Sequence, residues 1–192
     1  AKLNVVVQAG ATLKDVTETN VDTLVFEGSV TLEDGSYKGD DGAGIVLTTG
    51  STLTLVGNIS ASGTLTISAN AINGGGRLDN DGNLVTLNVA AGIIDIDNVE
   101  FTGAVTITDD EVDFANVTIG GTLTLGAGAA IDNSDLAAVT LAEGTNVTLS
   151  GVVTTAAITV ADSADSTLTL LAGDTLVGST FNDDKLNVVV QA

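Results

Sequence analysis

The sequence predicts an all-β chain, a single parallel β-solenoid over residues 1–192 with about nine coils of 17–22 residues. Three observations carry that prediction. Short apolar strands recur at near-constant spacing, asparagines recur in phase with them, and residues that other folds rely on are missing.

The strands come first. Val105-Thr106-Ile107-Thr108, Thr122-Leu123-Thr124-Leu125, Val139-Thr140-Leu141 and Ala157-Ile158-Thr159-Val160 follow one another at a nearly constant step, and Thr175-Leu176-Val177 continues it. Upstream, Leu84-Val85-Thr86-Leu87, Thr64-Leu65-Thr66-Ile67 and Ile45-Val46-Leu47-Thr48 extend the series at slightly longer steps. Most of these segments alternate apolar and polar residues, the period of a strand with one buried face. Stacked at ~4.8 Å per coil, such a chain makes a rod on the order of 45 Å long. Right-handed coiling is expected of parallel crossovers. No segment sustains helical periodicity, Asp132 to Ala142 included.

The corners come second. Asn80, Asn98, Asn116 and Asn133 recur at the step of the strands, and Asn58 precedes them at a longer one. Asparagine tolerates the left-handed backbone of a tight corner, and stacked amides can hydrogen-bond along a ladder. These five residues are therefore read as a structural ladder. The 23 glycines suit the other corners, and the absence of proline leaves every ladder N–H in place. An antiparallel sandwich is the alternative, since Asp34-Gly35, Asp41-Gly42 and Asp81-Gly82 resemble hairpin turns.

Composition comes third. The chain has no Cys, Met, Trp, Pro or His, so Val, Ile, Leu, Ala and Thr must build the interior. Disulfides, thiolate metal sites and Cys or His catalysis are excluded. With 5 basic against 25 acidic residues, the formal charge of −20 excludes nucleic acid as a partner. No apolar run is long enough for a helix to cross a bilayer, so membrane insertion is not expected.

Residues 2–9 and 185–192 are the same eight letters, Lys-Leu-Asn-Val-Val-Val-Gln-Ala. Leu3, Val5 and Val7 share one face of the first copy, as Leu186, Val188 and Val190 do in the second. A strand repeated at both ends suits head-to-tail strand addition, one unit of a tandem array, or a chain whose copied strand fills its own groove.

Three chemistries compete with this reading. Paired carboxylates such as Asp95, Asp97 and Asp113 could serve a glycan-cleaving solenoid, but the aromatic and basic residues such a groove needs are scarce, so no enzyme is expected. The Thr-x-Thr pairs at 52/54, 64/66, 122/124 and 167/169 do not recur at the coil period, which argues against an ice-binding rank of threonines. Acidic turns at Asp40, Asp41, Asp79, Asp81, Asp183 and Asp184 are candidate calcium ligands, calcium preferring carboxylate and carbonyl oxygens.

The segment Gly173-Asp174-Thr175-Leu176-Val177-Gly178-Ser179-Thr180-Phe181-Asn182-Asp183-Asp184-Lys185-Leu186-Asn187-Val188 resembles bacterial surface-layer proteins and the related RTX-type secreted repeat proteins, as does Asn20-Val21-Asp22-Thr23-Leu24-Val25. Ser179 and Phe181 stand where two glycines of the RTX repeat would be. The resemblance implies export to the bacterial cell surface or beyond, and a mechanical role. The expected function is thus a structural extracellular unit, assembling with copies of itself into a surface layer, giant repeat protein or filament. The alternative is an adhesin-type module that binds glycan or a cell-surface protein on its flank, with Phe26, Tyr37 and Phe101 as candidate anchors.

Overall fold

The computed structural model describes residues 3–17, 21–38, 45–47, 52–62, 65–68, 71–75, 77–79, 85–87, 94–107, 111–142, 144–161, 164–181 and 183–192. These hold 24 strands, every pairing between them parallel, and they wind into a β-solenoid with three faces. No described helix is long and apolar enough to cross a membrane.

The first face stacks β1 (Leu3–Val7), β3 (Val21–Phe26), β5 (Ile45–Leu47), β7 (Leu65–Ser68), β10 (Val85–Leu87) and β13 (Val105–Ile107). It continues through the second halves of β15 (Thr118–Leu125) and β17 (Asp135–Leu141) to β20 (Ala157–Val160) and β23 (Thr180–Phe181). The second face starts in the first halves of β2 (Thr12–Thr17), β4 (Val30–Lys38) and β6 (Thr52–Ser62), followed by β8 (Ala71–Asn73) and β11 (Ile94–Asp97). Above them lie β14 (Val112–Ala115), β16 (Ala129–Asp132), β18 (Asn146–Ser150), β21 (Ser166–Leu170) and β24 (Leu186–Val190). The third face takes the second halves of β2, β4 and β6, then β9 (Arg77–Asp79), β12 (Glu100–Phe101), the first halves of β15 and β17, β19 (Val152–Thr155) and β22 (Thr175–Val177).

Each face sends one side inward. Val105, Leu123, Val139 and Ile158 stack in register on the first face, and all four are buried. Ile72, Ile96, Phe114, Ile131 and Leu149 do so on the second face, and Phe101, Ile119 and Leu136 on the third. Like side chains thus sit above like, filling the prism without helix or disulfide. Each fully buried large side chain stabilises by roughly 1.5–3 kcal/mol over leaving it in water. Phe101 belongs to this core at 0% exposure, so it anchors no flank contact. Phe26 and Tyr37 lie in strands whose side chains fall outside what the structure describes.

The corner between the second and third faces explains the asparagine period. Asp15, Asp34, Gly57, Asn98, Asn116, Asn133 and Gly151 occupy it on different coils, all with positive φ. Asn98, Asn116 and Asn133 stack directly, their N–H groups donating to Ala115 O (3.0 Å), Asp132 O (3.1 Å) and Ser150 O (3.3 Å). The backbone ladder therefore continues round the bend. Where a glycine follows an Asx residue, the side chain below reaches over it. Asn133 Oδ1 accepts from Val152 N–H at 3.1 Å, and Asp34 Oδ1 from Asn58 N–H at 2.9 Å. A Cβ on Gly151 or Gly57 would stand 2.3 or 2.2 Å from that oxygen.

Three expectations need correction. Asn58 is one residue past the corner, which Gly57 occupies; it pairs with Arg77 along the third face. Thr175–Val177 does not continue the first-face series but lies on the third face against Val152–Thr154, because the longer turn after β21 displaces it. Coil length varies more than expected, since one circuit carries Leu123 to Val139 but another carries Ile158 to Phe181. Asn80 lies outside the described residues.

Two outcomes test this packing. Phe114→Ala is expected to cost about 3–5 kcal/mol, read by chemical denaturation, because its neighbours in the stack cannot close the gap. Asn133→Ala should cost about 1–2 kcal/mol, combining the lost bond to Val152 N–H with a residue ill-suited to positive φ. Asn133→Gly should recover the backbone part of that loss.

Candidate functional site at the open ends of the solenoid

The two ends of the coil stack are where the molecule is least satisfied. Among the described residues, β22, β23 and β24 each pair on one edge only, with β19, β20 and β21. At the other end β1 and β2 pair only with β3 and β4. The outer edges present rows of strand N–H and C=O groups, a template for pairing.

The apolar interior surfaces at the same place. Phe181 stands over Ile158, Val188 over Leu168 and Val190 over Leu170, so all three belong to inward-facing rows. Among the described residues no coil covers them, and they are 44%, 42% and 72% exposed. Leu176 and Leu186 complete this layer, packed against the core from one side. At the opposite end Val5, Ala11 and Leu13 are likewise partly buried against the core, while Val7 is only 7% exposed.

The expected assembly residues therefore sit as follows. Val5, Val7, Leu186, Val188 and Val190 all lie on inward rows at the ends, and Leu3 opens β1. The identical eight-residue copies do not share a face. β1 is on the first and β24 on the second, which strand periodicity could not have revealed.

The acidic candidates are dispersed. Asp40, Asp41 and Asp81 lie outside the described residues, and Asp79 closes β9 in register with Ser60. Asp183 acts as a local cap: Oδ1 accepts from Lys185 N–H at 3.0 Å and Oδ2 from Val160 N–H at 3.1 Å. Asp184 is an exposed turn residue. Among the described residues no three acidic side chains converge as a metal cage would require. Asp132 is tied by Ser150 Oγ and Asn133 Nδ2, both at 3.0 Å.

Asp95 and Asp113 are register neighbours on the outer side of the second face, lining with Asp97 a shallow cleft of about 290 Å³. Desolvation pushes the Asp113 carboxyl up from its ordinary value, and the charges of Asp95 and Glu111 push the same way. Both stacked carboxylates are exposed.

The flank carries a threonine column that the Thr-x-Thr pairs at 52/54, 64/66, 122/124 and 167/169 mark only in part, at Thr66 and Thr124. Thr66, Thr86, Thr106, Thr124, Thr140 and Thr159 stand in register on successive coils of the first face. The described members of this column are half-buried, and the Thr140 and Thr159 hydroxyls are 3.4 Å apart. Its signal in the sequence is a threonine between two apolar residues in each of these strands, and those pairs mark it only at Thr66 and Thr124.

A raised Asp113 pKa means that the folded chain holds this proton more tightly than the unfolded one. Its ionisation lowers stability as pH rises through the folded value, and the penalty vanishes in acid. Asp113→Asn should therefore stabilise at pH 7 by no more than about 0.5 kcal/mol, given its exposure. Thermal melts should show the gain shrinking as pH falls through the carboxylate range.

No protein-family model, curated protein or solved structure matches this chain.

Proposed function

We propose that the protein is a structural unit of an extracellular rod, assembling end on end with copies of itself by β-strand addition. The observation that carries this reading is the pairing of an exposed apolar layer (Phe181, Val188, Val190) with free strand edges at the same end of the stack. The opposite end offers free strand edges beside half-buried Val5, Ala11 and Leu13, so the contact is heterologous and need not close into a ring. Ladder hydrogen bonds would align the copies, and burial of the end layers would hold them.

The setting outside the cell rests on the surface-layer resemblance and on a cysteine-free composition of −20 charge. High charge of one sign keeps free units apart, so junctions must form against electrostatic repulsion. The alternative flank-binding role has one feature in its favour, the threonine column of the first face, a regular row of hydroxyls at the coil spacing.

Negative-stain electron microscopy tests assembly directly. The full chain should give fibres much longer than one unit. A variant lacking both 2–9 and 185–192, with its strand content checked by circular dichroism, should give short particles only. Short particles from the full chain in every condition would sink the reading. Grids in calcium and in EDTA decide the metal expectation, loss of fibres in EDTA making assembly metal-dependent.

Two further outcomes follow from the physics of the junction. Raising NaCl from low ionic strength should lower the protein concentration needed for fibres, because salt screens repulsion between like-charged units. Phe181→Ser should raise that concentration about tenfold, equivalent to about 1.4 kcal/mol per junction, with little change in the melting of the free unit.

A further inference from the structure

Resting on the assembly reading above, we infer that a single copy of the eight-residue strand serves two units at each junction, and that every unit therefore enters the rod turned by one face of the coil.

The two copies pair in opposite directions along the stack. β1 makes its ladder with β3, the coil that follows it in the chain, with Val5 opposite Leu24 and Val7 opposite Phe26. β24 makes its ladder with β21, the coil that precedes it, with Val188 opposite Leu168 and Val190 opposite Leu170. Identical residues thus use opposite edges, and each copy leaves free the edge that the other fills. One strand can hold both partners at once.

Side-chain burial agrees. Val7 and Val190 are the same residue of the repeated segment. Val7, paired only with the following coil, is 7% exposed, whereas Val190, paired only with the preceding coil among the described residues, is 72% exposed. Placing the next unit's coil over β24 would put Val190 in the environment that Val7 already has. Val6 and Val189, the residues between, are exposed in both copies at 53% and 43%, so neither has to reverse its direction.

The geometry then fixes the turn. β24 lies on the second face and β1 on the first, so merging them sets the first face of the new unit above the second face of the old. The rest of the coil falls into place. The first half of β2 follows on the third face of the old unit, over β22, bringing half-buried Leu13 to Leu176. The second half of β2 passes over β23, bringing half-buried Val16 to Phe181. Each open edge gains a parallel partner, and apolar residues meet apolar ones. Docking like face on like face would instead set five-residue β1 on two-residue β23 and leave the duplicate strand without a role. In the shared arrangement the rod is one unbroken solenoid, and three units bring equivalent faces back into line.

Helical reconstruction of fibres of the full chain by cryo-electron microscopy tests this. The expected map shows an uninterrupted strand ladder through each junction, with 186–190 of one unit beside 21–26 of the next and a one-face step between units. Fibres with like faces aligned, or with a break in the ladder, would overturn the shared strand while leaving end-on assembly intact. Failure of the full chain to form fibres at all would overturn the assembly reading and this inference with it. Single deletions give a second readout. If one strand serves two units, removing either 2–9 or 185–192 alone should leave fibres of undiminished length. Loss of fibres on either single deletion would show that both copies are needed and overturn the proposal.

Discussion

The in-register parallel ladder is the interaction on which the rest of this molecule depends. Between the two ends, each described coil hydrogen-bonds to the one below and the one above, and the same register that pairs the backbones stacks the side chains. Ile72, Ile96, Phe114, Ile131 and Leu149 are successive rungs of one such column. The interior is accordingly a set of rows rather than a centre. That arrangement suits a chain with 3% aromatic residues, because Val, Ile and Leu fill a narrow prism that wider layers would leave hollow. It also means that stability is local, each coil depending on its two neighbours.

A ladder of this kind must turn without breaking, and the corner between the second and third faces shows how. Positive φ recurs there on coil after coil, supplied by Asp15, Asp34, Gly57, Asn98, Asn116, Asn133 and Gly151. Aspartate and asparagine can adopt that conformation and also carry a carbonyl oxygen for the next coil's N–H. Glycine takes the turn where such a side chain lies overhead. At Gly57 and Gly151 the side-chain oxygen of Asp34 or Asn133 already fills the space that a Cβ would need.

The same ladder has no natural stop. A globule buries its core by closing round it, but a solenoid buries each rung only with another rung. The ends therefore concentrate what the flanks have resolved: free backbone groups and half-covered valine, leucine and phenylalanine. The flanks, by contrast, carry charge and hydroxyls, with Lys14 paired to Glu33 and Gln8 Nε2 donating to Glu27 Oε2 at 2.8 Å between neighbouring coils. Open edges along the axis and charge across it follow from one geometry.

Much of this could be read from the sequence, for a definite reason. Strand periodicity is local, so the shared face of Leu186, Val188 and Val190 follows from alternation alone. The corner asparagines at 98, 116 and 133 were legible because a left-handed turn admits few residue types. Register is a different matter. The circuit from Ile158 to Phe181 is longer than that from Leu123 to Val139, and the extra length goes into turns that counting cannot place. Only the tertiary structure could therefore move Thr175–Val177 to the third face, set Asn58 beside the corner rather than on it, and align the threonines of the first face. The repeated strand shows the division most clearly: its eight letters and their alternation belong to the sequence, but accumulated turn lengths put its two copies on different faces.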